Sequence, residues 1–368
     1  MKRTLALIGG GHAHVEVLRQ LAESPPFDAD VALFNPSPSV WYSGMLPGVI
    51  AGHYTANDAK VNLWALCQRA RVRFFETSVT GLHGETALLE AAHGERHHFD
   101  YASLDLGCVS RPIPTAPGAY VVTVKPIEPL LAAITEFDSV RASGLIVRVV
   151  GGGAAALEVA LALAYRWRGV KNRRISIVTA TRLLETFPRR VRALALRACR
   201  RDGVEVLENS PVEQIEPTRI RLTNGQSIDT QLTVLATGYA PAALLAKTDL
   251  ARSKDGSAHV TPTLQSSNHP HVFAAGDCAH IANVSGAVIP KSGVYAVRQG
   301  PLLASNLLAK LNDKPLEEYK HNPNALMLLS LGKKRAVASR NGFTLGGDWV
   351  WRWKDKIDRE WIQKYAPP

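Results

Sequence analysis

Gly9-Gly10-Gly11-His12-Ala13-His14-Val15 follows a short apolar run over residues 4–8 and opens a helical pattern over residues 15–22. A second run of strand type covers residues 30–34. Strand, glycine turn, helix and strand in that order make one βαβ unit of ordinary length. The same grammar returns at residues 145–150, Gly151-Gly152-Gly153, residues 154–165 and residues 174–178. Two glycine turns, each set between a buried-type strand and a helix, are far more specific than one isolated glycine motif. An internal duplication of a nucleotide-binding unit accounts for both.

A pyrophosphate needs backbone N–H donors at a helix N-terminus and a path free of side chains. Gly9, Gly10 and Gly11 supply the tight turn and close approach in the first unit, where His12 can also donate to the phosphates. His14 stands where a third glycine is usual. It reads either as a packing residue beside a displaced helix or as an imidazole touching the ligand. In the second unit Gly151, Gly153 and Ala156 complete a small-residue form of the fingerprint. Glu158 follows on the same helix, placed to reach a nicotinamide amide or to partner the helix dipole. An acid normally accepts the ribose 2′-OH at the end of the second strand. Asn35 and Thr179 occupy those places here, and Arg182 follows Thr179. The second unit therefore suits NADPH at least as well as NADH.

The 368-residue chain has room for two or three domains, and 46% hydrophobic with 20% charged residues fits a globular protein. A net charge of +11 suits anionic partners such as nucleotide phosphates or lipid headgroups. No zinc-finger, basic-zipper or RNA-binding signature is present, which argues against nucleic acid. The apolar start is too short for a signal peptide, and no window of about 18 uninterrupted apolar residues reads as a spanning helix. Cys67, Cys108, Cys199 and Cys278 are widely spaced, which points to a reducing cytoplasm rather than a disulfide framework. The histidines at 12, 14, 97 and 98 lack metal-ligand spacing, so no metal is expected.

Further strands are expected over residues 72–79, 102–106, 204–207, 231–235 and 272–275, and a helix over 292–308. The proline-rich residues 111–118 read as a domain crossover. The predicted class is α/β with two Rossmann-like domains: residues 1–115 with 252–320, discontinuous, and residues 116–251 inserted between them. Residues 321–368 form an α+β extension, with strands near 326–329 and 335–338.

With the turns placed, Val272-Phe273-Ala274-Ala275-Gly276-Asp277 resembles the C-terminal FAD motif of pyridine nucleotide–disulfide oxidoreductase-like flavoproteins. The resemblance implies that Asp277 binds the ribityl chain of FAD, with Gly276, Val79 and Gly107 beside it. Ala236-Thr237-Gly238 looks like the family's junction motif, which places Gly238 by the NAD(P)H site, and Leu104-Asp105-Leu106-Gly107 is a degraded first copy. Disulfide reductases carry a cysteine pair where this chain has Trp41-Tyr42-Ser43-Gly44-Met45-Leu46-Pro47-Gly48. That segment instead resembles type II NADH dehydrogenases and sulfide:quinone reductases, which implies that Pro47 lies by the flavin. In the same fold a helix beginning near Ser292 aims at the flavin C2 carbonyl, where Lys291 would add positive charge. The Gly9 to Val15 turn, residues 42–48, residues 291–300 and Trp351-Arg352-Trp353-Lys354-Asp355 resemble flavoproteins fused to or associated with selenide, water dikinase. Cys278 and Cys108 are the thiols nearest the flavin region.

Trp353, Ile357, Trp361 and Tyr365 recur every four residues, with Lys354, Asp355, Asp358 and Arg359 assigned to the opposite face. Such a face docks on its own protein, makes a homodimer contact, or lies peripherally on a membrane. The leading functional expectation is an FAD-dependent NAD(P)H oxidoreductase passing electrons to a quinone or another small acceptor. Two others stand beside it: a flavoprotein oxidising sulfide or selenide, and a flavin-bearing redox partner of a selenium-handling enzyme.

Overall fold

Leu5 through Ile8 are buried in sequence within the strand Arg3–Ile8, the continuous apolar run of a strand covered on both faces. The computed structural model describes residues 2–24, 28–139, 144–281, 289–322 and 324–366. Arg3–Ile8 is the middle of a five-stranded parallel sheet, ordered Val272–Ala274, Tyr101–Leu104, Arg3–Ile8, Ala29–Phe34, Arg73–Phe75. Ile146–Val150 holds the same place in a second parallel sheet, ordered Val121–Thr123, Leu232–Leu235, Ile146–Val150, Arg174–Val178, Val204–Leu207. In each, the chain leaves the middle strand toward one edge and later returns on the other side. The crevice at that reversal, outside the carboxyl ends of the strands, is where open parallel sheets bind ligands.

Each crevice needs glycine because backbone crosses backbone there. Gly9 has φ +87°, and a Cβ on it would meet the Asp105 carbonyl oxygen at 2.5 Å. Gly151 has φ +145°, and its Cβ would come within 2.1 Å of the Ala236 carbonyl oxygen. The first helix begins at His12 rather than residue 15 and runs His12–Glu23. A side chain from a distant strand explains the earlier start: Asp105 Oδ2 accepts the Ala13 and His14 N–H groups at 2.7 and 3.0 Å. This supplies the acceptors that a helix N-terminus lacks. The helix lies against Gly293–Leu311, where Gly300 permits the contact; a Cβ there would sit 2.8 Å from Glu16 Cβ. The second glycine turn leads into Ala154–Arg166, whose residues from Ala156 to Ala164 are nearly all buried, as in a helix enclosed on every side.

The region expected as one strand over 72–79 is two. Arg73–Phe75 joins the first sheet, and Val79–His83 starts a separate antiparallel meander with Leu88–Ala91 and Arg96–His98. Cys108–Ser110 and Tyr239–Pro241, the two stretches linking the parallel sheets, pair antiparallel as a ribbon. The C-terminal extension is the antiparallel sheet Met327–Ser330, Ala336–Arg340, Phe343–Gly347, then the helix Asp348–Tyr365.

That last helix corrects the expected polar face. Lys354 and Asp358 are 6% and 4% exposed, whereas Trp353 is 39% exposed. Lys354 Nζ donates to the Gly44 carbonyl at 2.6 Å and to Asp358 Oδ2 at 2.5 Å. Asp358 Oδ1 accepts the Tyr42 hydroxyl at 3.2 Å. Trp361 stacks on Tyr42 with ring centroids 4.1 Å apart. Glu16 Oε2 accepts both Lys364 Nζ and the Tyr365 hydroxyl at 2.8 Å. The helix is thus docked on the first glycine-turn helix and on the Tyr42–Gly44 segment.

Candidate active site

At the first crevice the Phe34 strand end delivers Asn35, whose Oδ1 accepts the Gly10 N–H at 2.9 Å while its Nδ2 donates to the Ser37 carbonyl at 2.7 Å. The side chain therefore braces the glycine turn and lines the cavity beside it. That cavity, of about 490 Å³, is bounded by Gly9 to His12, Asn35, Val79, Gly107, Cys108, Lys125 and Asp277, with Trp41 and Ser43 at one side. Asp277 is the polar anchor of its floor. Its Oδ2 accepts Lys125 Nζ at 3.0 Å and the Cys108 thiol at 3.3 Å, while its Oδ1 is buried without a hydrogen-bond partner. Burial pushes the Asp277 carboxyl upward, but the adjacent Lys125 ammonium overcomes this and holds it below the usual range. An ionised carboxylate with one satisfied and one unsatisfied oxygen is a ready acceptor for a ligand hydroxyl.

His12 is the second unfilled group. Burial, aided by Lys125, drives its imidazole down to about 4, so the ring is neutral, and its Nε2 is buried without a partner. The Asp105 carboxylate lies against both Gly11 and Gly276, where an added Cβ would meet it. Burial raises its carboxyl to about 7 against the pull of the His14 and Ala13 N–H groups.

The second crevice opens into a cleft of about 600 Å³ lined by Gly151, Gly152, Gly153, Thr179, Arg182, Ser210 and Thr237, with Arg111 and Glu185. Lys125, on the turn after the second sheet's strand Val121–Thr123, reaches into the first cavity and so couples the two halves.

Several expected site residues lie elsewhere. His14 is fully buried, with Nδ1 2.6 Å from the Gly9 carbonyl and Nε2 2.8 Å from Ser103 Oγ; it fastens the turn to the neighbouring strand and does not line the cavity beside the turn. Pro47 is buried in the short helix Leu46–Ala51. Ser43, four residues earlier, lines the cavity in its place. Lys291 is tied to the Ala279 carbonyl and to Ser257 Oγ, outside the main cavity. Ser292 precedes the helix Gly293–Leu311 without a side-chain cap. Both line a small recess next to Gly276 and Asp277.

In the second half, Ala156 packs in the core, and Thr237 rather than Gly238 faces the cleft. Glu158 accepts the Ser330 N–H at 2.7 Å from the C-terminal sheet and neither caps its helix nor lines the cleft. Burial raises its carboxyl to about 7, with Lys354 opposing. Cys278 is enclosed, its thiol donating to the Ala275 carbonyl at 3.1 Å, and burial raises it to about 12. Sequence reasoning missed Lys125 and the capping role of Asp105. Asp105 carried a signal, a charged residue inside the degraded Leu104 to Gly107 motif; Lys125 carried none.

Duplicated parallel sheets, paired glycine turns and an aspartate at the end of Val272–Ala274 define a fold with two dinucleotide-type crevices. The chain belongs to the pyridine nucleotide-disulphide oxidoreductase family, which residues 3–300 match. It is 30% identical over 210 residues to ferroptosis suppressor protein 1 of Taeniopygia guttata, covering 54% of each chain. It is 27% identical over 205 residues to the type II NADH:quinone oxidoreductase of Haemophilus influenzae, covering 52% of this chain and 46% of that protein. The chain spans about half the length of these curated relatives. The sulfide:quinone oxidoreductase of Aquifex aeolicus shares the fold, with TM-score 0.83 at 17% identity over 99% of this chain and 91% of that one.

Proposed function

We propose that the chain is an FAD-dependent oxidoreductase that accepts hydride from a reduced nicotinamide nucleotide and passes two electrons to a quinone. The observation that carries this is Asp277, which offers one free carboxylate oxygen into a cavity at the switch point of the first sheet. The second cleft, at the matching point of a duplicate sheet, supports a second nucleotide. The names of the Haemophilus relative and the Aquifex structure support quinone as the acceptor.

FAD fits the residues present. Gly9, Gly10, Gly11, Asn35 and His12 would hold its phosphates and ribose, and Gly276 and Asp277 its ribityl chain, with Val79, Gly107 and Ser43 along the walls. When bound, it supplies the group that takes up a hydride and releases electrons. Lys125 keeps Asp277 ionised and oriented. His12 stays neutral, so its Nε2 can donate or accept one hydrogen bond without adding charge. The docked C-terminal helix covers Tyr42 to Gly44 and excludes water from that side.

Phe343, Leu345, Trp349 and Trp353 are exposed on one hairpin and the helix that follows it. This apolar group fits peripheral contact with a membrane, where a quinone resides. Among the described residues no helix is long and apolar enough to cross a membrane. The pairing with a selenium-handling enzyme rests on motif resemblance alone. Burial raises the Cys108 thiol, which faces the cavity, to about 11, a poor nucleophile near neutrality.

Anaerobic mixing of FAD-loaded protein with NADPH or NADH tests the reading. Loss of the oxidised flavin absorbance, restored by a short-chain quinone, is expected. Bleaching by neither nucleotide would end it.

A further inference from the structure

We propose that the second cleft selects a nicotinamide nucleotide bearing a 2′-phosphate, NADPH over NADH; this rests on the reading that the cleft takes a reduced nicotinamide. In a βαβ unit the adenosine ribose lies at the end of the second strand. There a carboxylate accepts the 2′-OH and repels a 2′-phosphate, while an arginine accommodates the phosphate. The strand Arg174–Val178 runs out into Thr179-Ala180-Thr181-Arg182, without an acid. Thr179 is 3% exposed, and its hydroxyl stands against the glycine turn: a Cβ on Gly152 would lie 2.3 Å from Oγ1.

Arg182 stands on a loop that is fixed on both sides. The Thr179 carbonyl accepts Ser210 N–H at 2.8 Å, and the Thr181 carbonyl accepts Asn209 N–H at 3.2 Å. Leu183 N–H donates to Glu208 Oε1 at 2.7 Å, and Leu184 N–H to the Gly152 carbonyl at 2.7 Å. The Arg182 side chain itself is exposed, lines the cleft, and has no hydrogen bond or ion pair among the described residues. A guanidinium held at the mouth of a nucleotide cleft with its donors unused is suited to a phosphate, which it meets with two parallel N–H groups.

Of the neighbouring acids, Glu208 feels the Arg182 charge at a distance but makes no hydrogen bond or ion pair with it. Glu208 is committed, accepting Arg192 Nη2 at 2.6 and 2.7 Å in addition to Leu183 N–H. Glu185 lines the cleft, and Arg111 adds a second guanidinium to its lining.

Calorimetry on the FAD-loaded protein, with NADP⁺ and NAD⁺ as probes, tests the selection. NADP⁺ should bind tighter by about tenfold or more, the worth of one charge-assisted contact. Arg182→Ala should weaken NADP⁺ by about tenfold and leave NAD⁺ within about twofold, and Arg182→Lys should recover part of the loss. An unchanged melting temperature is expected, since Arg182 makes no hydrogen bond or ion pair among the described residues. Equal affinity, tighter NAD⁺, binding of neither, or equal loss of both in Arg182→Ala would overturn the proposal. NADP⁺ binding without flavin bleaching by NADPH would remove the hydride-transfer function and leave this selection standing. Bleaching by NADH with NAD⁺ the tighter ligand would do the reverse.

Discussion

Lys125 Nζ, 3.0 Å from Asp277 Oδ2, takes one oxygen of the carboxylate out of competition, so Oδ1 is the oxygen left for a ligand hydroxyl. Lys125→Met leaves Oδ2 with the Cys108 thiol alone and removes the ammonium that holds the carboxyl ionised. FAD should then bind about tenfold more weakly, the value of one lost hydrogen bond to a charged group, measured by flavin fluorescence. An unchanged affinity would show that Lys125 does not position Asp277. Asp105 gives a pH signature. Its ordinary value is 3.8, and burial lifts it to about 7 in the folded protein. Between those values the folded state keeps a proton that the unfolded chain has released. Stability therefore falls as pH rises through this window and levels off above it. Asp105→Asn keeps an acceptor for the Ala13 and His14 N–H groups without the titration. Urea midpoints of the cofactor-free protein should shift in the variant's favour from about pH 4 to pH 7 and run parallel above. Gly9, Gly11 and Asn35 are expected at the crevice from strand and turn, and Asp277 from the family resemblance, and all four line the same cavity. Lys125 could not be read from sequence, since it acts from another sheet; for His14 the packing reading holds, but its partner Ser103, on a strand 89 residues away, carried no sequence signal.

The elements were read well wherever a local pattern decided them. Arg174–Val178 and Val204–Leu207 match the expected spans, and the two glycine-turn helices differ only at their ends. The C-terminal helix shows what periodicity cannot settle. Its aromatic spacing was legible, but its inward face also carries Lys354 and Asp358, whose partners Gly44 and Tyr42 lie more than 300 residues away. Removing one member of such a buried pair strands the other charge. Lys354→Met should lower stability by about 3 kcal/mol in urea unfolding, and Lys354→Met with Asp358→Leu should lose less than the single change. A double variant at least as unstable as Lys354→Met would show that the pair is net stabilising beyond relief of a lone charge.

For the molecule as a whole, Phe343, Leu345, Trp349 and Trp353 project from the C-terminal extension of a chain with net charge +11. Interfacial rings and an overall cationic charge act together on anionic bilayers, and the charge contribution weakens with salt. Phe343→Ser with Trp349→Ser and Trp353→Ser should abolish most sedimentation with phosphatidylglycerol vesicles while flavin bleaching is kept. Undiminished sedimentation would exclude the patch as the membrane contact, and a shift from dimer to monomer in the variant would assign it to a second copy.

The placement of Val272–Ala274 beside Tyr101–Leu104 also governs how the protein is born. On the ribosome, the first sheet has four strands soon after residue 104 appears, yet its open edge must wait until residue 272 has been made. All five strands of the second sheet lie between residues 121 and 235, so that unit can finish while the older one is still incomplete. Nascent chains stalled short of residue 272 should be cut by protease in the earlier unit and spared in the later one. Of the two parallel sheets, the one begun first is the one completed last, and until then its Tyr101–Leu104 edge stays unpaired.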